Sequence, residues 1–287
     1  MRPRVALATY GRAPELAPDD QLLIPALEAL GVSARAEVWS NQFVDWASFD
    51  TVVIRSCWDY HLHIEAFRAW VDRLESAGIR VLNPPSLVRW NSEKRYLLDL
   101  AQRGVATIPT MIVPAGHADG VAELVAAEGW SRFVIKPAIS ASGYETYALR
   151  TPLDDAARES IRRATAAGDA LVQPFAEEVS RDGEFSFTFI DGQFSHATLK
   201  RAAPGEFRVQ AEHGGSAELV DAPRKLIDQA ARVIGVLPER PVYARVDGIS
   251  RDGSFLLMEL ELIEPHLFLA FSPGAAEKLA AAIMVRR

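Results

Sequence analysis

The chain of 287 residues is long enough for a sizeable core divided among two or three subdomains. With 49% hydrophobic and 24% charged residues it has an ordinary globular composition, and a net charge of -7 without any Lys/Arg cluster argues against a nucleic-acid surface. The single cysteine, Cys57, rules out an internal disulfide framework; no apolar run reaches the ~20 residues of a membrane span, and the run after Arg2 and Arg4 is too short for a signal peptide. The expected compartment is therefore the cytoplasm, with no membrane partner.

Val5 to Thr9 reads as a short apolar strand and Gln21 to Leu30 as a helix stopped by Gly31. Val32 to Trp39 and Thr51 to Arg55 follow as strands, then Ile64 to Ala77 as an amphipathic helix closed by Gly78. This alternation predicts a small parallel α/β sheet over residues 1–86, with Asn83-Pro84-Pro85 as its exit. Arg55, Asp59, Tyr60 and His61 follow a strand's carboxyl end, the usual ligand edge of such a sheet, and are expected to select substrate. Cys57 and Trp58 are expected in the core. The region has no Gly-x-Gly-x-x-Gly and the chain no Gly-Lys-Ser/Thr, so neither a dinucleotide fingerprint nor a P-loop is available.

Residues 87–169 form the next expected unit. Leu87 to Arg103 is helical and carries Lys94; Thr110 to Val113 and Arg132 to Lys136 read as strands separated by a helix. Lys136 stands at a strand end before the small-residue turn Ala138 to Gly143, where Ser142 and Gly143 offer backbone amides that can cover a polyphosphate. Tyr144 to Leu149 continues as a strand, and Pro152 opens a helix to about Ala167.

Over residues 170–287 the pattern becomes β-rich, with strands at Ala170 to Phe175, Glu184 to Ile190 and Phe194 to Lys200, the last two joined by an Asp191-Gly192 hairpin turn. The backbone around Gln173, Pro174, Phe175 and Ala176 can meet an adenine edge, and Glu184 beyond it can take ribose hydroxyls. Lys200, Arg201 and Arg208 are either local positive charge for an anionic ligand or surface decoration. A helix near Ala222 to Gly235 precedes the most informative stretch.

That stretch is Tyr243-Ala-Arg245-Val-Asp247-Gly248, followed across a turn by Met258-Glu259-Leu260-Glu261-Leu262-Ile263-Glu264-Pro265. Polar and apolar residues alternate, so Arg245 and Asp247 share one face of a strand and Glu259 and Glu261 one face of the next. Three carboxylates meeting on one surface raise one another's pKa unless a cation sits between them, and hard oxygen donors without His or Cys favour Mg²⁺ or Mn²⁺. Opposed residues of an antiparallel hairpin point to the same face, so bringing Asp247 opposite Glu259 requires an odd-length loop, or a bulge with the same effect on parity.

Taken in order, Lys94, Val134-Ile-Lys136-Pro137, the Ser140 to Gly143 loop, Val172-Gln173-Pro-Phe175, Gly183-Glu184-Phe-Ser186, Lys200, Arg245-Val-Asp247 and Glu259-Leu-Glu261 resemble the ATP-grasp superfamily. The resemblance covers Leu87 to Phe271, and the preceding region is similar to the pre-ATP-grasp domain of the glutathione synthetase and D-alanine ligase branch. It implies an N-terminal parallel α/β domain followed by a two-subdomain grasp: a lid and central part over 87–169 and a metal-bearing part over 170–287. Within the superfamily, Arg55-Ser-Cys57-Trp58-Asp59-Tyr60, Arg89-Trp-Asn91, Gly205-Glu-Phe207-Arg208-Val-Gln210 and Glu259 to Pro265 resemble the small bacterial group that includes the cyclo-ligase of D-cycloserine biosynthesis, an enzyme that closes O-ureido-D-serine into a ring with ATP; these residues do not fix that substrate.

The roles that the resemblance implies are ATP phosphates for Lys94 and Lys136, contact with the nucleotide for Lys200, adenine for Gln173 with the backbone of Pro174 and Ala176, and ribose for Glu184. Asp247, Glu259 and Glu261 would hold Mg²⁺, with Arg245 facing an acyl phosphate and Arg208 sharing the reacting carboxylate. The superfamily pattern Glu-x-Asn is Glu259-Leu-Glu261 here, an added negative charge. An ATP-dependent carboxylate-amine ligase is thus expected, acting on a small amino-acid-like substrate, with a homodimer left open. The alternatives are a phosphotransferase of the same architecture, a silent nucleotide-binding protein, or a structural module.

Overall fold

The computed structural model describes residues 2–286. Strands β1 (Arg4–Thr9), β2 (Ser33–Val38), β3 (Thr51–Ser56) and β4 (Arg80–Leu82) form a parallel sheet in the order β2-β1-β3-β4. Helices α1 (Pro18–Gln21), α2 (Leu23–Ala29) and α3 (Ile64–Ser76) connect them. Parallel strands covered on both faces are apolar on both faces, and β3 is buried along its whole length. Successive side chains of β1 serve opposite cores. Val5 and Leu7 pack with Leu23 and Leu27 of α2, and Ala6 and Ala8 pack with Phe67, Trp70 and Trp39 on the α3 side. Cys57 lies in the latter core.

Helices α4 (Pro85–Asn91) and α5 (Tyr96–Gln102) make up the helical region expected over Leu87 to Arg103. A second sheet follows, antiparallel, in the order β5-β8-β6-β7 from β5 (Met111–Val113), β6 (Arg132–Pro137), β7 (Tyr147–Arg150) and β8 (Ala170–Pro174). Its outer face is covered by α6 (Val121–Ala127) and α7 (Asp155–Ala164) around Phe133 and Ile135. The side chain of Asp154 caps α7 by accepting from the Ala157 amide, so that helix begins later than Pro152 suggested.

After α8 (Glu177–Arg181) come β9 (Glu184–Ile190), β10 (Gln193–Arg201), β11 (Ser216–Val220), α9 (Arg224–Gly235), β12 (Tyr243–Arg251), β13 (Ser254–Glu261) and α10 (Ala275–Val285). The five strands form an antiparallel sheet ordered β11-β10-β9-β12-β13. The turn Asp191-Gly192 joins β9 and β10 with both residues at positive φ, as a two-residue hairpin demands. Leu97 and Leu100 of α5 share the core of this sheet with Phe187, Val246 and Leu260. Leu279 and Ile283 of α10 return to the first sheet, where they join Leu7 and Leu27.

Two polar residues bind the first sheet to the third. Asn83, fully buried, donates to the carbonyls of Tyr243 and Leu262 at 2.8 Å each and accepts from the Val242 amide at 2.6 Å. The Tyr243 hydroxyl donates back to the Ile54 carbonyl at 2.6 Å. These contacts hold β12 and the end of β13 against the edge where β3 and β4 finish. Among the described residues no helix is long and apolar enough to cross a membrane.

Candidate functional site

The β12–β13 hairpin closes with the two-residue turn Asp252-Gly253, both at positive φ, and Arg251 opposite Ser254. That turn alone would put Asp247 and Glu259 on opposite faces. A bulge restores the parity: Gly248 pairs with Leu257 and Asp247 with Glu259, leaving Met258 unpaired. Gly248 is required there, because a Cβ would come within 2.2 Å of the Leu256 carbonyl oxygen. Arg245 consequently opposes Glu261, and all four charged groups face the same way.

They face a cavity of about 540 Å³ between the two antiparallel sheets. From the opposite wall, Val134 and Lys136 of β6 point into it, while Phe133 and Ile135 between them point into the core. One end is apolar, bounded by Ile108, Ala176, Val179, Phe207, Val209 and Met258. At its border the Gln173 amide donates to Thr110 Oγ1 at 2.9 Å, and Phe175 stacks under the Arg132 guanidinium at 3.4 Å.

The other end is charged. Lys94 Nζ reaches Glu259 Oε1 at 2.6 Å and the Ser140 carbonyl at 2.7 Å, tying the Ser140 to Gly143 loop to β13. Lys200 Nζ lies 2.6 Å from Glu184 Oε1 and 2.9 Å from Asp247 Oδ2. Arg245 donates to Asp247 through Nε at 3.0 Å and Nη2 at 2.8 Å, to the His266 carbonyl through Nη1 at 3.0 Å, and to Glu261. Ser186 adds a donor to Asp247 Oδ1 at 2.7 Å. Lys136 makes no ion pair among the described residues.

Burial sets the titration of these groups. Burial alone would raise Asp247, but Arg245 and Lys200 hold it well below the usual carboxylate range. The same contest leaves Glu259 lowered, with Lys94 and Lys136 prevailing over desolvation. Glu261 is pushed up to about 7 by burial, which Arg245 offsets only in part. Glu264 is pushed up to about 8, by burial first and then by Glu261. Desolvation lowers Lys136, a half-buried ammonium without an acid of its own.

Asp247, Glu259 and Glu261 supply hard oxygen donors of the kind Mg²⁺ takes. Here each is engaged by Lys94, Lys200 or Arg245 instead, and among the described residues no three His, Cys, Asp or Glu side chains are gathered as a metal cage. The donor chemistry fits a divalent cation, and holding one requires these ammonium and guanidinium groups to yield their acids.

Of the residues expected at the site, Lys94, Lys136, Ser142, Gly143, Gln173, Pro174, Phe175, Ala176, Glu184, Lys200, Arg208, Arg245, Asp247, Glu259 and Glu261 all line this cavity, and so does Tyr60. Four others do not. Arg55 is fully buried behind the wall, held by Asp20 at 2.9 Å and by the Pro265 carbonyl at 2.6 Å. Asp59 accepts from Trp39 Nε1 at 2.7 Å. The His61 ring lies beside Tyr144, with centroids 5.4 Å apart, and burial lowers its pKa to about 4. Arg201 ends β10 on the exposed side and donates to the Asp182 carbonyl.

Trp58, expected in the core, lines the cavity, as do Glu264, His266 and Phe268. The last three follow β13, where strand alternation no longer says which way a side chain points. Asn91 marks the junction, bonding the Leu260 carbonyl and the Leu262 amide at 2.8 Å each.

Comparison with known proteins places this geometry in a family. The D-cycloserine synthetase DcsG N-terminal domain matches residues 5–83. The cycloserine biosynthesis protein DcsG of Streptomyces lavendulae is 35% identical over 284 residues, covering 94% of this chain and 95% of that protein. The crystal structure of D-cycloserine synthetase DcsG superposes with a TM-score of 0.88 at 31% identity, over 99% of this chain and 100% of that one. A D-alanine–D-alanine ligase from Bacillus anthracis, solved in complex with ATP, shares the fold at a TM-score of 0.69 and 16% identity, over 98% of this chain and 96% of that one.

Proposed function

The chain belongs to the DcsG family and is an ATP-dependent ligase of the ATP-grasp fold, and we propose that it activates a substrate carboxylate as an acyl phosphate and closes a ring within an amino-acid derivative such as O-ureido-D-serine. The observation that carries this reading is the convergence of Asp247, Glu259 and Glu261 with Lys94, Lys136, Lys200 and Arg245 in one cavity that has an apolar end. The apolar end fits an adenine base, with Gln173 and the backbone of Pro174 to Ala176 at its edge. Glu184 takes the ribose. Lys136, the ammonium without an acid, takes phosphate oxygens, joined by Lys94 and Lys200 once their acids are drawn away.

Asp247, Glu259 and Glu261 would hold Mg²⁺ (or Mn²⁺), which would neutralise the charge on the transferring phosphoryl group. In-line transfer asks a protein mainly for positioning and electrostatics, so no protein nucleophile is needed. The substrate carboxylate oxygen bonds to the γ-phosphorus as the bond to ADP breaks; a nitrogen of the substrate then bonds to the acyl carbon, and orthophosphate leaves with a proton. Arg245 and Arg208 steady the carboxylate during both steps. Water must stay out meanwhile. The Ser140 to Gly143 loop serves this as a lid, meeting the 203–215 segment where Gly143 faces Arg208 and Ser142 O lies 3.3 Å from His213 Nε2.

The test is thermal stability with ATP and Mg²⁺ added separately and together, followed by phosphate release with O-ureido-D-serine. A shift that requires both, with phosphate release that requires the substrate, is expected. No shift at millimolar concentrations would overturn the site assignment, and phosphate release from Mg-ATP without a cyclised product would overturn the ring closure; the ring first formed keeps the carbamoyl group, and becomes D-cycloserine once water cleaves its N–CO bond and the carbamate leaves.

A further inference from the structure

Among the acids that line the floor of the cavity, Glu264 differs from the rest. Glu184 and Asp247 hold Lys200, Asp247 and Glu261 hold Arg245, and Glu259 holds Lys94. Glu264 is only 8% exposed and lines the cavity, yet among the described residues no side-chain donor or cation reaches its carboxyl group. An acid in such a place is costly unless something brings it a partner. Its surroundings indicate which. Trp58 donates its indole N–H to the Glu264 backbone carbonyl at 3.1 Å, and Tyr60 and Phe268 line the same cavity. Aromatic faces attract ammonium groups, whereas a divalent ion wants several oxygens.

We infer that Glu264, which lines the cavity together with Trp58, Tyr60 and Phe268, is the subsite for the ammonium group of the amino-acid substrate. This rests on the ligase reading above and adds the element that makes the substrate an amino acid rather than a plain acid. Glu264 is a specificity-determining residue here and takes part in no bond making. Arg245, hydrogen-bonded to the nearby His266 carbonyl, lies at the same end, so carboxylate and ammonium of one substrate are met by Arg245 and Glu264. The raised pKa of Glu264 accords with an acid that waits for a cation.

Calorimetric titration of O-ureido-D-serine and of 3-(ureidooxy)propionate, which lacks only the amino group, tests this with Mg²⁺ and a non-hydrolysable ATP analogue present. The wild-type protein is expected to prefer the amino compound by about 10- to 100-fold, the worth of a charge-assisted hydrogen bond. In Glu264→Gln that preference collapses, while binding of the deamino compound and the Mg-ATP thermal shift persist. Glu264→Asp, which keeps the charge, retains part of the preference. A preference that survives in Glu264→Gln, or equal weakening of both compounds, overturns the inference. Wild-type binding of the amino compound without phosphate release in a parallel assay with ATP would instead sink the ring-closing reading and leave the ammonium subsite standing; binding of neither compound sinks both.

Discussion

Two buried arginines serve this molecule in opposite ways. Arg55, next to last in β3, has one acid, Asp20, which in turn accepts from Ser56 Oγ at 2.7 Å, and the Tyr243 ring lies 4.7 Å from the guanidinium. Nothing in that cluster meets the cavity. Arg245 is buried almost as deeply but shares Asp247 with Lys200 and also holds Glu261, in a set of charges open to one side. A buried ion pair that is matched and sealed joins elements together. A buried set with surplus acid facing a cavity is arranged for ligands that bring charge.

The largest effect is expected where the open set is broken. Glu259→Gln removes the acid that holds Lys94 and, in the reading above, a metal oxygen; phosphate release should fall by about 10²–10³-fold or more, with far-UV circular dichroism unchanged. Activity near that of the wild type would remove Glu259 from the chemistry. Arg55→Met should do the reverse. It leaves Asp20 buried without its partner, so urea denaturation should show a loss of about 3–5 kcal/mol, while the KM for ATP of the folded enzyme stays the same. A catalytic defect without a stability defect would mean that Arg55 belongs with the cavity after all.

Glu264→Gln sharpens the comparison through pH. A carboxyl raised in the folded state to about 8 gives stability that is full below its unfolded value near 4.5 and is lost as pH rises through the folded value. Glutamine has no such dependence. The stability of the variant relative to the wild type should therefore climb between pH 4.5 and 8, by on the order of a few kcal/mol, as read from Tm at several pH values. A difference that does not change with pH would show that Glu264 has a charged partner in the ligand-free protein.

The sequence made the open set legible and the sealed one misleading, for the same physical reason. Asp247, Glu259 and Glu261 lie within fifteen residues on two adjoining strands, so alternation and hairpin parity are enough to bring them together, and the Met258 bulge supplied the required parity. Arg55 looked like a ligand residue because it ends a strand at the usual edge. Its partner Asp20 lies 35 residues away on the short α1, a pairing that no local pattern announces. The helical region expected over Leu87 to Arg103 is interrupted at Ser92–Arg95, and the interruption lets the Lys94 amide bond Ala138 O at 2.7 Å while its ammonium turns to Glu259. Glu264 escaped because periodicity ends with β13 at Glu261.

Lys136 lies between the two kinds of charge. It points into the cavity and has no acid of its own, and burial lowers its pKa. Lys136→Met should cost no stability and should raise the KM for ATP about tenfold, a loss of ~1.4 kcal/mol, read from steady-state phosphate release at varied ATP. An unchanged KM would leave the polyphosphate to Lys94 and Lys200 alone.

The smallest effect belongs to Arg201, next to Lys200 and on the other face of the same strand. Alternation sends Lys200 into the cavity and Arg201 out to solvent, where it donates to the Asp182 carbonyl at 3.2 Å and lies 3.8 Å from Glu218. An exposed pair of this kind gains little Coulomb energy against the entropy of holding long side chains, so Arg201→Ala should change stability by less than about 0.5 kcal/mol. Kinetic constants for ATP and substrate should match the wild type. A rise in either KM would mean that the strand turns in the working enzyme, and that the division between inward and outward charge on β10 is not what separates ligand-binding from decorative residues.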